Sequence, residues 1–431
     1  MNRTIKQFNI HDIELFKRNL LSWASSFEEV VWLDSNFYKQ NHSSYEAVLA
    51  VEAFTSIKTD YHAAFEDLKE YQSVTEDWIF GYLTYDLKND LENLASNNFD
   101  GLEFPDLYFF QPKRLLFLKG NVLEFHYLGM IDDEIEEDYQ QILKNTSAEE
   151  ILEEKKDLLI KHRIPKEEYL EKVKTMLAHI HRGDIYEANF CQEFYIENTA
   201  INPIKTFYNL NEISKPPFAT FLKHDDKFLL SASPERYIRK EGTQIISQPI
   251  KGTARRAENK EEDALLVSSL ENDSKERSEN VMIVDLVRND LSRVALKGSV
   301  TVEELCKVYT FMQVHQMIST IKAEVAPTTH PVDIIKVAFP MGSMTGAPKL
   351  SAMKIIEKLE ETKRGLYSGA VGYFAPNGDF DFNVIIRSIF YNYKKRYVSF
   401  SAGSAITAKS KPELEFEECL VKAKAMRKAL E

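Results

Sequence analysis

Two runs of alternating residues, each broken by tight turns, restrict this chain more than any other feature. Between Lys227 and Thr253 the apolar runs Phe228-Leu229-Leu230, Tyr237-Ile238 and Ile245-Ile246 follow one another closely, with Glu241-Gly242 at a turn. A second meander runs from Tyr367 to Thr407, turning at Pro376-Asn377-Gly378-Asp379 and at Asn392-Tyr393-Lys394-Lys395. Such short breaks join antiparallel neighbours. Helical segments lie between the two β regions, so the pattern predicts an α+β layered fold and not alternating βαβ units. No Gly-rich nucleotide loop follows a strand, which argues against a dinucleotide or ATP enzyme.

The 431 residues suffice for one large or two ordinary domains. In the N-terminal part Leu107–Phe110 and Leu115–Phe125 read as paired strands, with a turn at Lys119-Gly120-Asn121. The acidic run Asp132–Asp138 and a charged helical stretch to about Arg163 read as a solvated helix face or connector. Pro165 opens the next helix, with Tyr169, Val173, Met176, Leu177 and Ile180 on one face, and Gly183 ends it. A net charge of −13 without a basic patch argues against a nucleic-acid partner. No apolar run reaches the roughly 18 residues of a membrane span, and Met1–Phe8 leads into no apolar leader segment. Three scattered cysteines, Cys191, Cys306 and Cys419, read as reduced thiols. Together these predict a soluble, cytoplasmic protein.

Several segments carry candidate chemistry. Pro249-Ile250-Lys251-Gly252-Thr253 displays a lysine at the end of a strand. Such an amine is either a solvated cation or, with its pKa depressed by burial or nearby charge, a nucleophile. Ser233-Pro234-Glu235-Arg236 places a carboxylate 16 residues earlier. Phe339–Lys349 combines two glycines, two hydroxyl residues (Ser343, Thr345) and a proline before a helix, which makes either a capped loop or an anion site. In the last helix, with Ser410 and Glu413 as a capping box, Glu415, Glu418 and Lys422 share one stripe. Two carboxylates one turn apart can hold Mg²⁺, and the same spacing serves a surface ion pair. Ser278–Leu291 is an apolar helix with Val281, Val284, Val287 and Leu291 buried. Its Asp285, Arg288 and Asp290 are structurally paired, and Glu279 is the metal candidate. His315 lies in an apolar run, as a satisfied core residue or a catalyst.

Taken together these segments resemble the chorismate-utilising enzymes, which include anthranilate synthase component I, the isochorismate and salicylate synthases, and aminodeoxychorismate synthase component I. The resemblance covers about 160–428 strongly. It extends over the N-terminal part through Leu33-Asp34-Ser35 and Phe80–Asp86. It implies antiparallel sheets packed face to face with helices outside, an N-terminal region 1–160 and a chorismate-binding region 161–431. Lysine at 251, where anthranilate synthases carry alanine, points to the aminodeoxychorismate branch. Glu187 stands where the isochorismate and salicylate branch has its water-activating lysine.

The resemblance implies amination of chorismate to 4-amino-4-deoxychorismate, for para-aminobenzoate and folate synthesis. Lys251 would be the nucleophile, with its pKa lowered towards 7 at a cost of roughly 4 kcal/mol. Glu235 would be the general acid and His315 a supporting group. Mg²⁺ would sit on Glu279, Glu415 and Glu418. Substrate would be held by Ser343, Thr345, Gly346, Tyr367, Arg387, Gly403 and Lys422, and ammonia would come from a glutamine amidotransferase partner. Ser35, Pro217 and Phe218 are compatible with a tryptophan site known in relatives. Ser404-Ala405 and Glu187 depart from the family pattern, and no fused lyase or amidotransferase domain is expected. The competing reading is anthranilate synthase component I, which aromatises the ring and releases pyruvate.

Overall fold

The computed structural model describes residues 2–38, 45–145 and 158–431. Its strands join into a single antiparallel network that doubles over into two limbs. One limb passes from Glu187–Ile196 through Tyr397–Thr407, Ser388–Asn392, Lys227–Ser233, Phe218–His224 and Glu29–Asp34 to Ala47–Thr59. The other passes from Ile79–Leu83 through Ala370–Phe374, Phe380–Val384, Arg236–Glu241 and Gln244–Gln248 to Val314–Glu324. The strand Leu107–Lys119 joins them, pairing with Ala47–Thr59 along its length and with Ile79–Leu83 over its first residues.

Side-chain alternation explains the layering. On Glu29–Asp34, Val31 points into the core between the limbs, while Val30 and Trp32 point outwards. The inner core gathers Tyr82, Phe109, Leu222, Leu229, Ile238 and Phe382. The outer core lies under the helices Ile13–Ala24, Lys166–Arg182, Pro203–Ser214 and Pro412–Leu430. Each fully buried Leu or Phe contributes about 1.5–3 kcal/mol, which holds the limbs together against chain entropy. Residues from both sides of position 160 enter each core. Antiparallel sheets face to face with outer helices, as the resemblance implied, describe this arrangement.

Four local expectations need correction. Leu107–Lys119 is one strand, not the end of one and the start of another, and its partner is Val122–Leu128. Pro112 suggests a break, but it sits beside a register shift opposite Ala53, where a missing N–H is tolerated. The helix predicted from Ser278 begins at Ser274, because Asp273 caps it by accepting from the Lys275 and Glu276 amides. On that helix Val281 is exposed and Ile283 is buried in its place. Asp285 and Arg288 pair at the surface, and only Asp290 is buried, against Lys349 at 2.6 Å. Ser410 forms no capping box, since the last helix starts at Pro412 and Ser410 Oγ accepts from the Thr407 amide.

Helix Lys166–Arg182 follows Pro165 and ends at left-handed Gly183, with Tyr169, Val173, Met176 and Ile180 buried. The charged stretch predicted to reach Arg163 is helical over Ile135–Lys144, and its part at 146–157 lies outside the described residues. Among the described residues no helix is long and apolar enough to cross a membrane.

Candidate active site

Glu235 occupies the junction between Lys227–Ser233 and Arg236–Glu241, where the strand end fixes its backbone: its carbonyl accepts from the Val384 amide. It is 4% exposed, and its Oε1 accepts from Ser343 Oγ at 2.7 Å. Burial pushes this carboxyl up to about 7, against opposing pulls from the Ser343 hydrogen bond, Lys251 and Arg387. A carboxyl in that range is partly protonated at neutral pH and can release its proton to a leaving group.

Lys251 lies on Ile250–Arg255, the short strand that pairs with Val314–Glu324. Its Nζ is 3.1 Å from Glu187 Oε1. Burial alone favours the neutral amine, yet the carboxylates of Glu187, Glu279 and Glu235 outweigh it, and the lysine is held above its ordinary value. The resemblance implied the reverse, a depressed lysine, and the contact with Glu187 is what the sequence did not reveal. Asn280 bridges the Lys251 strand and its neighbour, donating to the Lys251 carbonyl at 3.5 Å and to the Met317 carbonyl at 3.3 Å.

A second group of carboxylates comes from two helices. Glu276 and Glu279 lie one turn apart on Ser274–Ser292, as Glu415 and Glu418 do on Pro412–Leu430, and all four act on the Lys275 ammonium. Lys275 Nζ is 3.8 Å from Glu279. Burial raises Glu279 to about 7 in spite of Lys251, with Glu187 adding to the rise. Burial also favours protonation of Glu418, but Lys422, Lys275 and Lys251 hold it below the ordinary carboxylate range. Glu279 Oε1 and Glu415 Oε2 are buried without a hydrogen-bond partner. Orphaned carboxylate oxygens from paired glutamates are the donors a hard divalent cation such as Mg²⁺ prefers, so these residues fit it. The trio of described residues that comes within 4.8 Å is elsewhere, at Glu29, His224 and Asp225. The helix glutamates are more widely spaced around Lys275.

The other predicted residues divide. Arg387, partly buried, places its guanidinium charge near Glu235. Tyr367 is buried, its hydroxyl accepting from Cys191 Sγ at 3.6 Å. Lys422 Nζ bridges Glu418 at 2.7 Å and the Gly403 carbonyl at 2.9 Å. Gly403 pairs with Cys191, and a Cβ there would meet Cys191 Sγ at 2.4 Å, so strand packing alone demands glycine. Gly346 pairs with Ala188, and a Cβ there would lie 2.2 Å from the Glu187 carbonyl oxygen. The Thr345 hydroxyl bonds back to Met341 and Gly342 of its own turn. His315 pairs with Ala254 on the Lys251 strand, and its ring nitrogens are engaged by Thr310 and Asp263, each at 2.9 Å. Ser35, Pro217 and Phe218 line a separate pocket with Asp34, Glu46 and Arg236.

One residue, Glu276, and one contact, between Glu187 and Lys251, escaped the sequence analysis. Glu276 shares the three-residue spacing of Glu415 and Glu418, and that signal was legible once the helix start was known. The pairing of Glu187 with Lys251 crosses 64 positions and had no local signal.

The two-limbed sheet thus brings the carboxylates of two helices into electrostatic reach of Lys251. The family model described as chorismate binding enzyme matches residues 28–428, and the chain belongs to that family. Aminodeoxychorismate synthase component 1 of Escherichia coli K12 is 39% identical over 266 residues, which are 62% of this chain and 58% of that protein. The component 1 of that name from Bacillus subtilis 168 is 32% identical over 88% of this chain and 80% of its own length. The structure of anthranilate synthase component I from Streptococcus pneumoniae TIGR4 superposes with a TM-score of 0.77 at 25% identity, over 90% of this chain and 95% of that one.

Proposed function

We propose that this chain is the chorismate-aminating component I of an aminodeoxychorismate synthase. The observation that carries this reading is a half-buried lysine amine at the end of a strand, close to a carboxyl held at about 7 on Glu235. Lys251, once deprotonated, attacks ring carbon 2 of chorismate. The ring double bonds shift and the bond from carbon 4 to its hydroxyl breaks. Glu235, oriented by Ser343, gives its proton to that hydroxyl, which departs as water. Ammonia then bonds to carbon 4 and expels the lysine from carbon 2, leaving 4-amino-4-deoxychorismate and the free amine.

The Arg387 guanidinium, with the Tyr367 hydroxyl, suits the enolpyruvyl carboxylate, and Lys422 lies where a second carboxylate can meet it. Glu279 and Glu418, with Glu415 and Glu276 beside them, would hold Mg²⁺, which when bound neutralises the ring carboxylate and draws electron density from the ring. Free ammonia is scarce at neutral pH, so a glutamine amidotransferase subunit is the expected nitrogen source. The pocket at Ser35, Pro217 and Phe218 is proposed as an amino-acid site for tryptophan.

The test is incubation of the chain with chorismate, Mg²⁺ and an ammonium salt at mildly alkaline pH, with products identified by mass spectrometry. An aminated product that keeps its enolpyruvyl group supports the proposal. Anthranilate with an equal amount of pyruvate would establish the rival activity, and Lys251→Ala should abolish only the former.

A further inference from the structure

Glu187 is a buried carboxylate for which the chemistry above has no role. It lies at the start of Glu187–Ile196, where it pairs with Ala347 on one side and Thr407 on the other. Two ladders therefore fix its backbone. One of its oxygens, Oε1, lies 3.1 Å from Lys251 Nζ, and the other, Oε2, is buried with no hydrogen-bond partner. A carboxylate that serves structure looks different in this same molecule. Glu360 uses both oxygens, accepting from the Arg364 guanidinium at 2.7 and 2.9 Å and from the Cys191 amide at 2.9 Å. Leaving a buried acceptor unpaired costs about 1–3 kcal/mol, so Glu187 is poorly arranged as a brace and well arranged as an acceptor.

The carboxyl groups of Glu187, Glu279 and Glu235 act most strongly on the Lys251 ammonium, which also acts on Glu418 and Glu276 of the acidic group around Lys275. Glu235 is engaged with Ser343 and must supply a proton, not take one. Glu279 belongs to the acidic group around Lys275. Glu187 alone hydrogen-bonds the amine. A cationic lysine has no lone pair, so its proton must leave before it can attack.

We propose that Glu187 is the general base for Lys251, taking the amine proton before attack on chorismate and returning it when the lysine is expelled. This assignment rests on the amination reading above. The balance is simple. The ammonium and the Glu187 carboxylate become neutral amine and carboxylic acid, and the amine then forms its bond to carbon 2 as the hydroxyl leaves with the Glu235 proton. The resulting secondary ammonium adduct releases neutral amine when ammonia bonds to carbon 4. The Glu187 acid reprotonates that amine, and the new ammonium on carbon 4 restores the proton to Glu235. Proton transfer within the pair removes both charges from a largely buried site, and it works against the carboxylates that hold the lysine above its ordinary value.

The experiment compares wild type, Glu187→Gln and Glu187→Ala with chorismate, Mg²⁺ and an ammonium salt, following the aminated product by mass spectrometry. Circular dichroism melts check that each variant folds, and the near-isosteric Gln variant decides the matter where Ala does not fold. Glu187→Gln is expected to lower kcat by about 10²–10⁴-fold while leaving KM for chorismate near the wild-type value. In folded Glu187→Ala, added sodium formate is expected to restore part of kcat, because a free carboxylate can fill the vacated space and accept the proton. A loss carried by KM, a kcat close to wild type in Glu187→Gln, or a folded Ala variant indifferent to formate each overturns the assignment. Wild type that makes no aminated product overturns the amination reading and this assignment with it. Wild type that aminates alongside an equally active Glu187→Gln overturns the role of Glu187 alone.

Discussion

The Ser343 hydroxyl donates to Glu235 Oε1 at 2.7 Å, tying the Gly-rich loop to the strand junction that carries the proposed acid. This bond favours the ionised form and so opposes the upward push of burial on Glu235. Ser343→Ala removes the opposition, and the Glu235 value rises further above about 7. Because the protonated form acts, activity falls as pH rises through that value. The alkaline limb of the kcat/KM profile for chorismate should therefore move up by on the order of one pH unit. A limb that stays where it is in wild type would disconnect Ser343 from the acid.

Glu279 has its folded-state value raised to about 7 by burial, above that of an unfolded chain. A raised carboxyl favours folding below the unfolded value, near pH 4.5, and that contribution is lost as pH climbs through the folded value. Glu279→Gln removes the cost of ionising a buried group. With EDTA present the variant should melt above wild type at pH 8, by up to about 3 kcal/mol in stability, and match it below about pH 4. Added Mg²⁺ should raise the wild-type melting temperature and leave the variant unmoved. Equal melting of the two proteins at pH 8 would contradict the strain assigned to Glu279.

Gly346 leaves room for the Glu187 carbonyl oxygen, which a Cβ would approach to 2.2 Å. Gly346→Ala must push its strand away from Glu187–Ile196. Overpacking of this kind costs about 1–3 kcal/mol, measurable by urea unfolding. A variant as stable as wild type would show that the two strands separate freely.

Arg387 should be read by its effect on binding. Losing a charge-assisted bond to a carboxylate costs roughly 1.5–3 kcal/mol, so Arg387→Ala should raise KM for chorismate by about 10–100-fold. Arg387→Lys keeps the charge but loses the planar fork and should fall between the two. Unchanged KM in both would remove Arg387 from the substrate site.

The sheet pattern was legible because alternation and turns are local. The meanders around Gly242 and Gly378 lie where the sequence placed them. Leu107–Lys119 was misread because Pro112 is a breaker in isolation and harmless at an irregular register. Lys251, Glu235 and the last-helix glutamates could be named from motif and spacing. The electrostatics around Lys251 could not, since Glu187 reaches it only through the pairing of distant strands. The partners of His315 were equally illegible: its ring meets Thr310 across a strand pair and Asp263 from a helix 52 positions away.

Glu187, Glu235, Lys251, Glu279, Arg387 and Glu418 come from six separate segments, and strands from both limbs supply them. Their meeting depends on contacts between residues far apart in the chain, which close slowly because loop entropy is spent before any contact repays it. Secondary structure and partial burial can therefore form well before the six groups converge. During refolding, catalytic competence is expected to appear late, after most of the secondary structure has formed.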